Sequence, residues 1–129
     1  MRKNKRSAGN LWITIGCLLL GATAASAQQN GGENQKKFDE QSLALRTALH
    51  YNPSLDAPLT QLLEMYRGAN KVDELVSIYR AHVTQYANDQ RAQTVFVRLL
   101  AATGDAEAAR QTKTIAARFP KAPYLQYLL

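Results

Sequence analysis

From residue 36 onward the chain is broken by only two glycines, Gly68 and Gly104, and four prolines, Pro53, Pro58, Pro120 and Pro123. Between these breakers lie stretches of helix length with no strand-like alternation of apolar and polar residues. A chain punctuated this way builds helices joined by short turns, so the fold class expected is all-α. Apolar spacing agrees. Val72, Leu75, Val76, Tyr79, His82, Val83 and Tyr86 fall on one helical face. Asn70 is placed to cap that helix, with Asp73 and Glu74 at the positive end of its dipole. Over Asp89 to Thr103 the pattern differs: Val95, Phe96, Val97, Leu99 and Leu100 cover most of the circumference, which predicts a central helix enclosed on several sides.

Three further helices follow from the same reading. Lys36 to Tyr51 ends at Asn52-Pro53, because a residue preceding proline is pushed out of the helical region. Asp56 to Arg67 accepts Pro58 in its first turn. Asp105 caps a helix reaching Phe119, with Ala109, Thr112, Ala116 and Phe119 facing inward.

The turn Arg67-Gly68-Ala69-Asn70-Lys71-Val72-Asp73-Glu74-Leu75 aligns with Ala101-Ala102-Thr103-Gly104-Asp105-Ala106-Glu107-Ala108-Ala109 at an offset of 34 residues. Ala48-Leu49-His50-Tyr51-Asn52-Pro53 has the look of the end of an earlier second helix and sets the same register start, Asp56. On these residues the chain resembles the tetratricopeptide repeat family, whose unit is a helix pair of about 34 residues. The resemblance covers 36–129 and implies a short right-handed α-solenoid of antiparallel helix pairs. It would comprise a half-repeat at 36–55, repeats at 56–89 and 90–123, and the start of a further helix at 122–129. Leu59, Leu62, Tyr66, Tyr79, Phe96 and Leu100 fit the family's large-residue positions, and Ala109 and Ala116 its small ones. Leu63 and Val97 depart from it where Gly or Ala is usual, Leu75 and His82 where Ala is usual, and Lys113 where an aromatic is usual. Pro120 arrives one residue early.

The first thirty residues read differently. Arg2, Lys3, Lys5 and Arg6 precede an apolar run from Leu11 to Gly21, followed by Ala22-Thr23-Ala24-Ala25-Ser26-Ala27. A basic start, an apolar centre and small residues at Ala25 and Ala27 predict a signal peptide helix over 1–27, cleaved after Ala27. The alternatives are an uncleaved membrane anchor over 11–27 and a lipoprotein at Cys17. Residues 28–35 read as a flexible linker, polar and containing Gly31-Gly32. Cleavage leaves 12 basic against 10 acidic residues of the original 16 and 10. A net charge of +2 is no footprint for nucleic acid. The only Cys and the only Trp, Trp12, leave as well. A thiol-free chain suits an oxidising compartment, so export to a periplasm or secretion is expected.

Chemistry is sparse. His82 and His50 are the only histidines. A zinc site needs three or four ligands, and no Asp, Glu or His lies three or four residues from His82, while His50, at the end of its helix, reads as a surface residue. Ser42, Ser54 and Ser77 lie in no nucleophile elbow. Gly31-Gly32 forms no phosphate loop. Asp73-Glu74 and Asp105/Glu107 are accounted for as helix-start acids. The expectation is a non-enzyme without cofactor or metal: a protein–protein interaction or scaffolding module. The alternatives kept open are the N-terminal portion of a longer repeat protein, and a small helical metal-binding or enzymatic protein using His82.

Repeat proteins bind along the groove lined by the first helix of each pair. The resemblance places the groove at Thr60, Gln61, Glu64 and Arg67 in one unit, and at Arg91, Thr94, Val95 and Arg98 in the next. Arg67, Arg91 and Arg98 would form a basic stripe for an acidic peptide or a carboxylate. Ala122-Pro123-Tyr124-Leu125-Gln126-Tyr127-Leu128-Leu129 repeats the opening of the Asp56 helix. Tyr127 and Leu128 there offer a second, apolar edge for a partner or for self-association. Membrane contact is expected only through an uncleaved signal segment.

Overall fold

The computed structural model describes residues 30–129. The signal segment 1–27, the anchor alternative over 11–27 and Cys17 lie outside the described residues, as does Trp12. All regular structure among the described residues is helical. The helices are α1 (30–51), α2 (Asp56–Gly68), α3 (Val72–Gln85), α4 (Gln90–Thr103), α5 (Ala108–Arg118) and α6 (Pro123–Tyr127). None of these is long and apolar enough to cross a membrane.

Two units are distinguished, ending and beginning at Gln41 and Ser42. In the first, residues 30–41 are helical, so the linker expected over 28–35 is helix wherever it is described. Side chains one turn apart support it: Gln35 Nε2 donates to Asp39 Oδ1 at 2.8 Å, and Lys36 lies 3.9 Å from Glu40. Such pairs stabilise an exposed helix by a few tenths of a kcal/mol each, about 0.2–0.5.

In the second unit α4 is the central element. Every residue from Ala92 to Leu100 is buried, with Val95, Val97, Leu99 and Leu100 at 1% exposure or less. The helix packs against both α3 and α5, which explains why its sequence carries apolar side chains all round. Leu59, Leu62, Leu63 and Tyr66 of α2, Leu75, Tyr79 and Val83 of α3, and Thr112, Ile115 and Ala116 of α5 complete the core. Leu49 of α1 and Leu125 of α6 are fully enclosed. The Ser42 hydroxyl is buried and lies 2.8 Å from the Tyr66 phenol, a hydrogen bond inside the core.

The corners repeat. After α2, Asn70 takes a left-handed conformation (φ 56°), and Lys71 N–H donates back to Tyr66 C=O at 2.8 Å. After α4, Gly104 does the same (φ 71°), and Asp105 N–H donates to Leu100 C=O at 3.0 Å. These two positions are the pair aligned by the 34-residue offset. The second kind of corner also recurs. Leu55 N–H donates to Asn52 C=O, Asp89 N–H to Tyr86 C=O and Ala122 N–H to Phe119 C=O, at 3.3, 3.0 and 3.1 Å. The step from 52 to 86 is again 34 residues; the step from 86 to 119 is one shorter, where Pro120 arrives early.

Several local expectations are corrected. Asn70 does not cap α3: the N-cap is Lys71, and no side chain caps it. Asn70 is needed instead for the left-handed residue that closes α2, a conformation asparagine tolerates better than most residues. Asp105 does accept a helix-start amide, from Glu107 at 2.8 Å, but α5 begins only at Ala108. Ala109, in the first turn of this helix, is exposed, and Ile115 is buried. Tyr86, expected inside, is 52% exposed because α3 ends before it.

Candidate partner-binding surface

Of the eight expected groove residues, Thr60 is exposed, Val95 is buried at 1% exposure, and four of the remaining six stand free. Gln61, Glu64 and Arg67 on α2 and Arg91 on α4 are exposed. None of these side chains has a hydrogen-bond or ion-pair partner among the described residues. Their helices occupy equivalent positions in the corner pattern, since α2 starts at 56 and α4 at 90.

The other two do not belong to that surface. Thr94 is buried at 3% exposure, and its hydroxyl donates to Gln90 C=O at 2.8 Å. Arg98 is buried at 8%. Its Nη1 donates to Pro53 C=O at 2.7 Å and Leu55 C=O at 2.9 Å, and its Nη2 to the Asp56 carboxylate. The guanidinium also lies 5.4 Å from the centre of the Tyr124 ring. The stripe of three arginines is therefore a pair, Arg67 and Arg91. Residues seven apart share an angular position on a helix, so Arg91 and Arg98 do lie on one face. What separates them is their place along the axis. Arg91 sits in the free first turn and Arg98 in the enclosed middle. No spacing in the sequence signals the Arg98 clamp, because its acceptors lie 42 to 45 residues away.

At the second expected surface, Tyr127 is 85% and Leu129 63% exposed. Leu128 is half-buried. Short α6 is held by Leu125 and by Gln126 Nε2, which donates to Ala116 C=O at 3.0 Å.

His82 has a partner that the sequence search missed. The Asp89 carboxylate accepts from its Nε2 at 2.9 Å, while the other carboxylate oxygen caps α4 by accepting the Ala92 amide at 3.1 Å. The imidazole also lies against Tyr86, the rings tilted by 44° with centres 4.8 Å apart. A partner on the same helix would lie three or four residues away; Asp89 lies seven away, across the α3–α4 corner. Desolvation raises the Asp89 carboxyl, but the His82 and Ala92 hydrogen bonds and the nearby His82 and His50 charges outweigh it. The result is a carboxyl below its ordinary value. Among the described residues no group of three or more His, Cys, Asp or Glu side chains is placed to hold a metal ion.

A pH dependence follows from Asp89. A carboxyl whose folded value is lowered adds stability in full above its unfolded value, near pH 4. That stability is lost as pH falls through the lower folded value. Asp89→Ala should therefore flatten the acid limb of the stability–pH curve. At neutral pH it should cost about 1 kcal/mol for the lost N-cap. Urea titrations of both proteins between pH 7 and pH 2.5 check it; parallel curves would count against the pairing.

Compared with known protein families, curated proteins and solved structures, the chain finds no match.

Proposed function

We propose that this chain is an exported, non-catalytic protein-binding module, built as a short tetratricopeptide-like solenoid. The observation that carries the reading is the recurrence of two corner types at 33- and 34-residue steps. That recurrence sets α2 and α4 in equivalent places with Gln61, Glu64, Arg67 and Arg91 exposed and unpaired. In helix-pair arrays the first helices face the partner. Polar side chains without internal partners are free to make those bonds. Arg67 and Arg91 favour a carboxylate-bearing peptide segment, which a guanidinium fork can hold bidentately. The sequence of residues 1–27 supports export, and a signal cleaved after Ala27 is part of the same proposal.

The test is capture of partners by the full chain, with crosslinking, at low and high salt. The charge-reversed double variant Arg67→Glu/Arg91→Glu should reduce capture by about tenfold or more. Wild-type capture should weaken as salt shortens the screening length from about 10 Å to about 3 Å. Capture that ignores both changes but is lost with Tyr127→Glu would move the contact to the exposed side chains of α6, the second reading that the exposure of Tyr127 and Leu129 supports.

A further inference from the structure

A cavity of about 350 Å³ opens between α1, α3 and the start of α4, apart from the exposed residues of α2 and α4 discussed above. Its size falls at the lower end of small-molecule sites, about 300–1,000 Å³. Leu43 of α1, Ile78 of α3 and Val95 of α4 line it, so its walls are largely apolar. Arg46 also lines it, and its Nε is buried with no hydrogen-bond partner. The Arg46 guanidinium forms no ion pair among the described residues, and the cavity it lines is where an anionic group can be placed against that charge.

Charge around the cavity narrows the chemistry. Asp89 is the only acid lining it, and both its oxygens are committed, one to His82 and one to the α4 cap. Tyr79 is uncharged at neutral pH: burial pushes its phenol up to about 12, against the lowering effect of Arg46. The uncompensated charge is that of Arg46, with His50 beside it. One guanidinium in an apolar pocket matches one carboxylate on an apolar body. Leu43 and Tyr51, 59% and 74% exposed, add apolar surface at the rim beside exposed Thr47 and His50.

We propose that this cavity binds a small apolar monocarboxylate, its carboxylate on Arg46 and its apolar portion against Leu43, Ile78 and Val95. The site is independent of the partner-binding reading.

Octanoate is the probe, titrated into the full chain and followed by amide NMR shifts and calorimetry. Saturable binding is expected, with shifts concentrated at residues 43–51, 78–82 and 92–95. Octylamine and 1-octanol should bind at least about tenfold more weakly, as should the Arg46→Gln variant to octanoate. Leu43 is exposed, so a charge there leaves the fold intact: Leu43→Glu should weaken octanoate, by repulsion, at least about tenfold more than Leu43→Lys does. This pair keeps the test decisive if Arg46→Gln fails to fold, which circular dichroism reads. Arg67→Glu/Arg91→Glu should bind octanoate like the wild type, so failure of the groove reading leaves this result standing. Absence of saturable binding, octylamine binding as tightly as octanoate, or equal octanoate affinity in the two Leu43 variants would each overturn the proposal.

Discussion

Arg98→Ala should lower the unfolding free energy by about 2–4 kcal/mol, while Asp56→Ala should cost about 1 kcal/mol or less. The asymmetry comes from solvent. The Arg98 side chain is 7% exposed and that of Asp56 89%. An ion pair with one partner in water contributes little, and the first-turn dipole adds only about 0.3–1 kcal/mol to Asp56. The larger part lies in the two carbonyls at Pro53 and Leu55, which Arg98 Nη1 reaches at 2.7 and 2.9 Å. Hydrogen bonds from a charged donor are worth about 1.5–3 kcal/mol each before partial re-solvation of the acceptors. The Tyr124 contact adds about 0.5–1 kcal/mol. Arg98→Lys should recover only part, since an ammonium cannot reach two carbonyls and a carboxylate in one plane. Urea unfolding of the three variants reads these differences. An Asp56 variant as damaged as the Arg98 one would reverse the account and make the ion pair the source. The clamp also has a structural consequence: α4 holds the corner that begins α2 through two of that corner's backbone carbonyls.

Leu99→Ala should cost about 2–5 kcal/mol. Leu99 is fully enclosed on a helix buried at nine consecutive positions, 92–100. With neighbours on both α3 and α5, the walls around the deleted atoms cannot collapse from one side. The value should therefore fall in the upper half of that range. Leu43→Ala is the control. That side chain is 59% exposed, and its loss should shift stability by no more than about 0.5 kcal/mol. Equal effects from the two would mean that α4 is not the centre of the core.

Much of the fold is legible in the sequence because helix boundaries depend on local chemistry. Asn52-Pro53 stops α1, Pro58 fits the first turn of α2, and Gly104 supplies the left-handed residue after α4. The all-round apolar pattern of Val95 to Leu100 foretells the burial of α4. The misses are those where two local roles compete. Asn70 is suited both to cap α3 and to close α2, and the closing bond from Lys71 to Tyr66 decides for the second. Gly31-Gly32 reads as a tether, yet helical pairing of Gln35 with Asp39 and Lys36 with Glu40 accompanies a helix there.

The candidate site was legible only by half. The resemblance to tetratricopeptide repeats puts Gln61, Glu64, Arg67 and Arg91 at groove positions, and all four side chains are exposed. Nothing in the spacing separates Arg91 from Arg98, or shows that Asp89 meets His82 and that Arg46 lies in a cavity with Tyr79. The sequence by itself determined the helices, their order and the 34-residue spacing of their turns, since these follow from caps, breakers and apolar period within a few residues. Only the tertiary structure decided which polar side chains are spent inside the fold and which remain for a partner. That choice depends on groups 31 to 45 residues away, such as the carbonyls of Pro53 for Arg98 and of Ala87 for Arg118. Such neighbours are brought together by helix packing, whose geometry no local spacing records.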